Sequence, residues 1–199
     1  MTAQLTILSE AGFAIDEELG SDANAREALL DRAMGEGRKR KSSEKLRRGR
    51  LPSAGLAFVA RSGSGAVTGS VRLWDVACGE KSLLLLGPLA VEPSASGQGI
   101  GSALMRHAMA QAAELGHSAI ILVGDAPYYA RFGFSAEKTG GVLMPGPVER
   151  DRLLGCELLD GHLDDASGLL IARGRRADRR QSSSDAMSPH ISSGLVRVA

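Results

Sequence analysis

Residues 83–102, Leu83-Leu84-Leu85-Leu86-Gly87-Pro88-Leu89-Ala90-Val91-Glu92-Pro93-Ser94-Ala95-Ser96-Gly97-Gln98-Gly99-Ile100-Gly101-Ser102, join an apolar strand, a short polar loop and a glycine-rich helix start. The run 83–91 is too apolar to leave a wet face, so both faces of this strand are expected to be covered. Gly87-Pro88 breaks its middle. Proline cannot donate to a ladder and glycine packs nothing, so the pair predicts a bulge where the strand leaves its neighbour and main-chain groups come free. Beyond it, Gly97, Gly99 and Gly101 alternate over five residues. Such spacing lets the backbone turn tightly with its N–H groups uncovered, and the helix that follows adds its positive dipole end. A phosphate or pyrophosphate is the guest this turn suits.

Working outward, Ile100, Leu104, Ala108, Ala112 and Leu115 mark one face of a helix that Gly116 is placed to end. Ala119-Ile120-Ile121-Leu122-Val123 then reads as a buried strand, parallel to the first because strand, crossover helix and strand follow in order. Asp125-Ala126-Pro127 looks like the start of a short helix with Asp125 as its cap. Upstream, Leu56-Ala57-Phe58-Val59-Ala60 and residues 67–74 flank a glycine turn and predict an antiparallel hairpin. Before them, Ser21 or Asp22 can cap a helix carrying Ala25, Ala28, Leu29, Ala33 and Met34 on one side. Short strands are expected near 141–144, 156–159 and 169–172.

With 199 residues and 43% hydrophobic content, the chain has material for one domain with a real core, assigned to residues 1–173. Residues 174–199, rich in Arg, Ser and Asp, read as a disordered or loosely attached tail. The net charge of +1 gives no overall field toward nucleic acid or an anionic membrane. No apolar stretch approaches the roughly 18 residues that span a bilayer, and the N-terminus lacks a secretory pattern, so a cytoplasmic protein is expected. Cys78 and Cys156 stand apart from each other and from any His at ligand spacing, which points to reduced thiols and to no metal. Residues 38–50 hold a basic run with a single acid, Glu44; the ordinary reading is a solvated helix face or loop, the other a contact with phosphate or nucleic acid.

Three segments together resemble the GCN5-related N-acetyltransferase (GNAT) family: Leu89-Ala90-Val91-Glu92-Pro93, Gly97-Gln98-Gly99-Ile100-Gly101-Ser102-Ala103-Leu104-Met105, and Tyr129-Ala130-Arg131-Phe132-Gly133-Phe134. The last lies within Gly-Asp-x-x-Tyr-Tyr-x-Arg-Phe-Gly-Phe, here residues 124–134, which is similar to bacterial members. Ser96 stands where the family signature begins with Arg or Gln. The resemblance implies an acyl-CoA N-acyltransferase fold, a central mixed, mostly antiparallel α/β sheet splayed at the cofactor site and flanked by helices. It also implies acetyl-CoA as co-substrate, held by main-chain groups of Leu89, Ala90 and Val91 and by the loop Gly97, Gln98, Gly99, Ile100, Gly101 and Ser102. Tyr129 matches the family tyrosine that returns a proton to the departing CoA thiolate. Asp125 and Tyr128 are expected on the acceptor side.

The implied activity is direct acetyl transfer to a primary amine of a small molecule or peptide, with no membrane or nucleic-acid partner and a homodimer left open. Many relatives carry a glutamate on the strand before the phosphate loop, but 83–86 has no carboxylate, leaving Asp125 or Glu92 acting through water. His107 and His117 receive no role. Two other readings compete. A Rossmann-like nucleotide-binding protein shares the order strand, glycines, helix, strand, Asp125, yet Ser102 replaces the last small residue of its fingerprint and residues 92–96 intervene before the glycines. A non-enzymatic RNA- or ribosome-binding module would use residues 38–50, which lack interleaved aromatics for base stacking.

Overall fold

The computed structural model describes residues 12–177. Its centre is β4 (Lys81–Val91), antiparallel to β3 (Val67–Cys78) on one side and parallel to β5 (Ala119–Val123) on the other. The four leucines divide by parity, as strand geometry requires. Leu84 and Leu86 pack into a core with α3 (Ile100–Glu114), while Leu83 and Leu85 pack into a second core on the opposite face with Leu46, Trp74, Leu153 and Leu170. Both faces of the strand are therefore covered, as its composition demands.

The sheet runs β1-β2-β3-β4-β5-β7, from β1 (Phe13–Glu17) and β2 (Ala57–Ser62) to β7 (Leu153–Glu157). β8 (Ser167–Ala172) adds to the end of β3, and β6 (Gly141–Leu143) pairs with β8. Most neighbours are antiparallel, which excludes the doubly wound parallel sheet of the Rossmann reading. α1 (Ala23–Met34) packs Leu29 and Leu30 on Ala90 at the far end of β4. No described helix is long and apolar enough to cross a membrane.

Gly87 and Pro88 form the expected bulge: Val71 lies opposite Leu89 and Leu73 opposite Leu86, so two residues of β4 face Arg72 alone. The Gly87 carbonyl is taken up by the Trp74 indole N–H at 2.5 Å. On the other edge, β4 and β5 are paired only at Leu84 with Ile120 and Leu85 with Ile121, after which the strands part.

Several expectations need correction. Leu115 is exposed and lies outside the buried stripe of α3, which includes Met105 instead. β1 carries only five residues, and its short apolar start gives little periodicity to read. The strand expected at 156–159 begins at Leu153, because Gly155 sits inside it where a Cβ would meet Leu163 and Thr139. Asp22 and Asp125 occupy helix N-cap positions, but neither side chain caps. Residues 174–177, assigned to the tail, are held to residues 49–51: the Leu51 N–H donates to the Arg175 carbonyl and the Ala177 N–H to the Gly49 carbonyl. The rest of that expected tail lies outside the described residues.

Candidate active site at the parted strands

The glycine loop builds the first half of the site. Gly97 and Gly99 both hold φ near +81°, a conformation that L side chains rarely adopt, and Gly99 is the N-cap of the 15-residue α3. The loop borders a cavity of about 370 Å³ that Val91, Ser102, Tyr128 and Arg131 also line. A Cβ on Gly101 would stand 2.9 Å from the Tyr128 hydroxyl, so glycine is what permits that approach. The Arg131 guanidinium lies over the Tyr128 ring, 4.1 Å from its centroid. A helix dipole and a neighbouring cation together favour an anion here.

The second half lies where β4 and β5 part. A small cavity of about 90 Å³ is walled by Leu86, Gly87, Pro88 and Leu89 of β4, Leu122 and Val123 of β5, and Tyr129 of α4 (Ala126–Ala130). Its remaining wall comes from Met34 at the end of α1 and from the basic segment, with Arg38, Lys41, Ser43, Glu44 and Arg47, the last two belonging to α2 (Glu44–Arg47). A larger cavity of about 570 Å³ shares Lys41, Ser43 and Val123 with it and reaches Val148, Glu149 and Arg152. Ser42 and Lys45 fasten the segment to the far rim, donating to the carbonyls of Pro147 at 2.6 Å and Pro145 at 2.8 Å.

Tyr129 packs edge-on against Tyr128, with centroids 4.9 Å apart, and against Phe134 at 6.1 Å. Its ring fills the space beside Gly124, where a Cβ would lie 2.1 Å from Cε2. Burial, with smaller effects from Tyr128 and Asp125, pushes its phenol up to about 12. Tyr129 is thus a protonated donor at any working pH.

Val91 and the loop residues other than Gln98 line the first cavity, Leu89 and Tyr129 line the second, and other expected residues lie elsewhere. Tyr128, expected toward the acceptor, lines the glycine-loop cavity instead. Asp125 is exposed and lines neither cavity; its carbonyl accepts from the Tyr128 and Tyr129 N–H groups, both at 3.1 Å. The Ala90 side chain packs under α1. Glu92 pairs with Arg32 at 2.7 Å, and that contact holds its carboxyl below the usual range. His107 stands edge-on to Phe58 at 4.6 Å, and burial lowers its pKa.

Sequence reasoning missed Arg38, Glu44 and Arg47 as site residues. A solvated basic run was the ordinary expectation, yet the side chains of Arg38 and Arg47 are each only 10% exposed. The interruption of the run by Glu44 and Leu46 was the available signal. Leu46 is buried in the core and turns its neighbours inward.

A parted β4–β5 edge, a glycine loop at the start of α3 and a largely buried phenol lie on one α/β sheet. A family model described as acetyltransferase (GNAT) domain matches residues 53–136. The uncharacterized N-acetyltransferase YhbS of Escherichia coli K12 is 29% identical over 155 residues, covering 77% of this chain and 92% of the relative. The crystal structure of Escherichia coli YhbS in complex with CoA is similar with a TM-score of 0.70 and 26% identity, over 87% of this chain and 93% of that one. A GNAT family acetyltransferase from Brucella melitensis in complex with acetyl-CoA has a TM-score of 0.54 and 29% identity, over 71% and 94% of the two chains. Residues 53–136 thus match the GNAT acetyltransferase domain, and the chain has the acyl-CoA N-acyltransferase fold of these similar structures.

Proposed function

We propose that the chain transfers an acetyl group directly from acetyl-CoA to a primary amine. The observation that carries this reading is the parting of β4 and β5 beyond Leu85 and Ile121, with the glycine loop at one end of the gap and Tyr129 in its wall. The CoA and acetyl-CoA complexes of the similar proteins support the choice of cofactor. The loop 97–102 and the N-terminus of α3 hold the pyrophosphate, with Tyr128 and Arg131 beside it. Main-chain groups on the edge of β4 that β5 leaves free receive the pantetheine arm.

The amine must lose a proton before its lone pair can attack. Glu44 is the one carboxylate among the described residues lining the small cavity, and it accepts that proton. As the nitrogen bonds to the acetyl carbon, the carbon–sulfur bond breaks and the phenol of Tyr129 gives its proton to the sulfur; the acylated nitrogen sheds its remaining extra proton to solvent, and the Tyr129 phenolate takes one back from solvent. Neither cysteine offers a covalent route: Cys78 and Cys156 are both buried, burial raises both thiols, and neither lines the cavities described.

Thermal melting with acetyl-CoA, CoA, NAD or ATP tests the reading. A ligand at about 100 times its Kd adds roughly 2.7 kcal/mol, worth several degrees in a protein of this size. Shifts with acetyl-CoA and CoA alone are expected; a shift with NAD alone, or none, removes the proposal.

A further inference from the structure

The basic segment places a buried cation with unused donors against the break in β4. Arg47 has a side chain only 10% exposed. Its Nη2 contacts Glu44 at 3.2 Å and Ser43 at a long 3.4 Å. Its Nε is fully buried without a hydrogen-bond partner among the described residues, and Nη2, not Nη1, makes the contacts with Ser43 and Glu44. Nη1 lies over the bulge, 3.7 Å from where a Cβ on Gly87 would stand. Of the five N–H groups of a guanidinium, three are therefore unused at the wall of the small cavity. Glu44 supplies one anion at 3.2 Å, and the donors it leaves unserved are costly to bury unless a second acceptor meets them.

The surroundings sharpen the requirement. Arg38, in the same wall, already has two carboxylates, Glu27 at 2.6 Å and Asp31 at 2.7 Å. Lys41 adds another positive charge, and Glu44 is the single acid against these three cations among the described lining residues. The inner cavity of about 90 Å³ is small and suits a compact polar head group. The outer cavity of about 570 Å³, with Val123, Pro147 and Val148 in its lining, leaves room for a side chain of varied size.

Resting on the acetyl-transfer reading, we propose that the acceptor is a free amine carrying a carboxylate on or next to the amine-bearing carbon, an α-amino-acid type of molecule, and that Arg47 holds the carboxylate. The planar fork of a guanidinium matches a carboxylate in a way that a lone ammonium does not. Bound there, the carboxylate sets the amine beside Glu44 and the β4 break, where the acetyl group arrives. Arg47 thus selects the substrate, while Glu44 and Tyr129 act on protons.

The test compares a set of free α-amino acids with the amines left when each loses its carboxylate, reading CoA thiol release from acetyl-CoA. The expected result is a preference of about 100-fold or more in kcat/KM for the carboxylate-bearing member of productive pairs, since a site built to bond a polar group rejects analogues that lack it. In Arg47→Gln that preference collapses toward one through a rise in KM for the amino acid, while the Kd for CoA by calorimetry stays at the wild-type value. Arg47→Lys, which keeps the charge and loses the fork, recovers only part of the preference, so a poorly folding Arg47→Gln does not decide the matter. Equal use of amines with and without carboxylate, or acetylation confined to peptide N-termini, overturns the inference and leaves the transferase reading standing. A raised Kd for CoA in both variants also overturns it, by assigning Arg47 to the cofactor. Absence of CoA binding in the wild-type protein removes the transferase reading and this inference with it.

Discussion

Tyr129 shows what one residue's surroundings do to its chemistry. A phenol ordinarily loses its proton near 10, and burial beside Phe134 and Tyr128 carries this one to about 12. Its raised value favours the neutral form, so the proton is retained across the working range and the phenol acts there as a hydrogen-bond donor. Tyr129→Phe is expected to lower kcat by about 100-fold or more, the usual weight of a positioned general acid, with CoA affinity by calorimetry unchanged. Unaltered turnover would make the ring a packing residue. The same value predicts that kcat shows no falling limb below about pH 11; a limb near 10 would mean the phenol is not buried during turnover. Glu44 belongs to the other half of the proton account. Glu44→Gln should depress kcat for every amine at neutral pH and recover as pH rises and free amine becomes available without a base; a deficit constant with pH would limit Glu44 to shaping the cavity. These two residues also differ in how far the sequence exposes them. Tyr129 is announced by residues 124–134, whose spacing is specific. Glu44 and Arg47 sit in a run whose composition says only "basic", because composition cannot say which charged side chains fold inward behind Leu46.

At the scale of elements, the β4–loop–α3–β5 unit was legible because each signal agreed with the next: an unbroken apolar strand, a glycine-proline break, spaced glycines, a helical stripe and a second apolar strand. What the pattern did not reveal is how closely α3 lies on the sheet. A Cβ on Gly69 of β3 would stand 2.7 Å from Ile100 Cγ2 and 2.9 Å from Leu104 Cδ1, so this glycine sets the depth at which the helix, and with it the anion loop, is seated. Gly69→Ala should cost about 1–3 kcal/mol by overpacking and weaken CoA binding through displacement of the helix start. A stability loss with normal CoA affinity would show that the loop keeps its place independently of α3. β1 and the true start of β7 escaped because their cues are weak or contrary: five residues are too few for a period, and Gly155 reads as a breaker although here it admits Leu163 and Thr139. Elements set by contacts distant in sequence are the ones a local pattern misses.

For the whole molecule, a net charge of +1 describes an average and hides an arrangement. The charges form linked clusters that fasten α1 and the basic segment to the sheet: Glu18 joins Arg26 and Arg72, Arg61 joins Asp16 and Asp22, and Arg38 joins Glu27 and Asp31. Partners lie as far as 54 residues apart, so the sequence supplies the count of charges without their pairing. This framework carries the wall that holds Glu44 and Arg47, which ties the proposed acceptor site to the protonation of carboxylates elsewhere. Arg61 holds the Asp22 carboxyl below its ordinary value by a hydrogen bond at 2.7 Å, outweighing burial. For Glu27, burial acts upward, but Arg38 and Arg26 together bring it below its ordinary value. A carboxyl depressed in the folded state lends stability that is complete above its ordinary value near 4 and is lost as pH falls through the folded value, when both states bind the proton. The melting midpoint should therefore fall steadily as pH drops from about 5 toward 3, with the clusters around α1 among the groups responsible. Asp22→Asn separates this from a general acid effect: it should melt lower than wild type at pH 7, where Arg61 has lost a charged partner, and show a shallower decline below pH 5, so that the two curves converge in acid. Parallel curves would place the acid sensitivity in other carboxylates and leave the Asp22–Arg61 contact without a part in fastening α1 to the sheet.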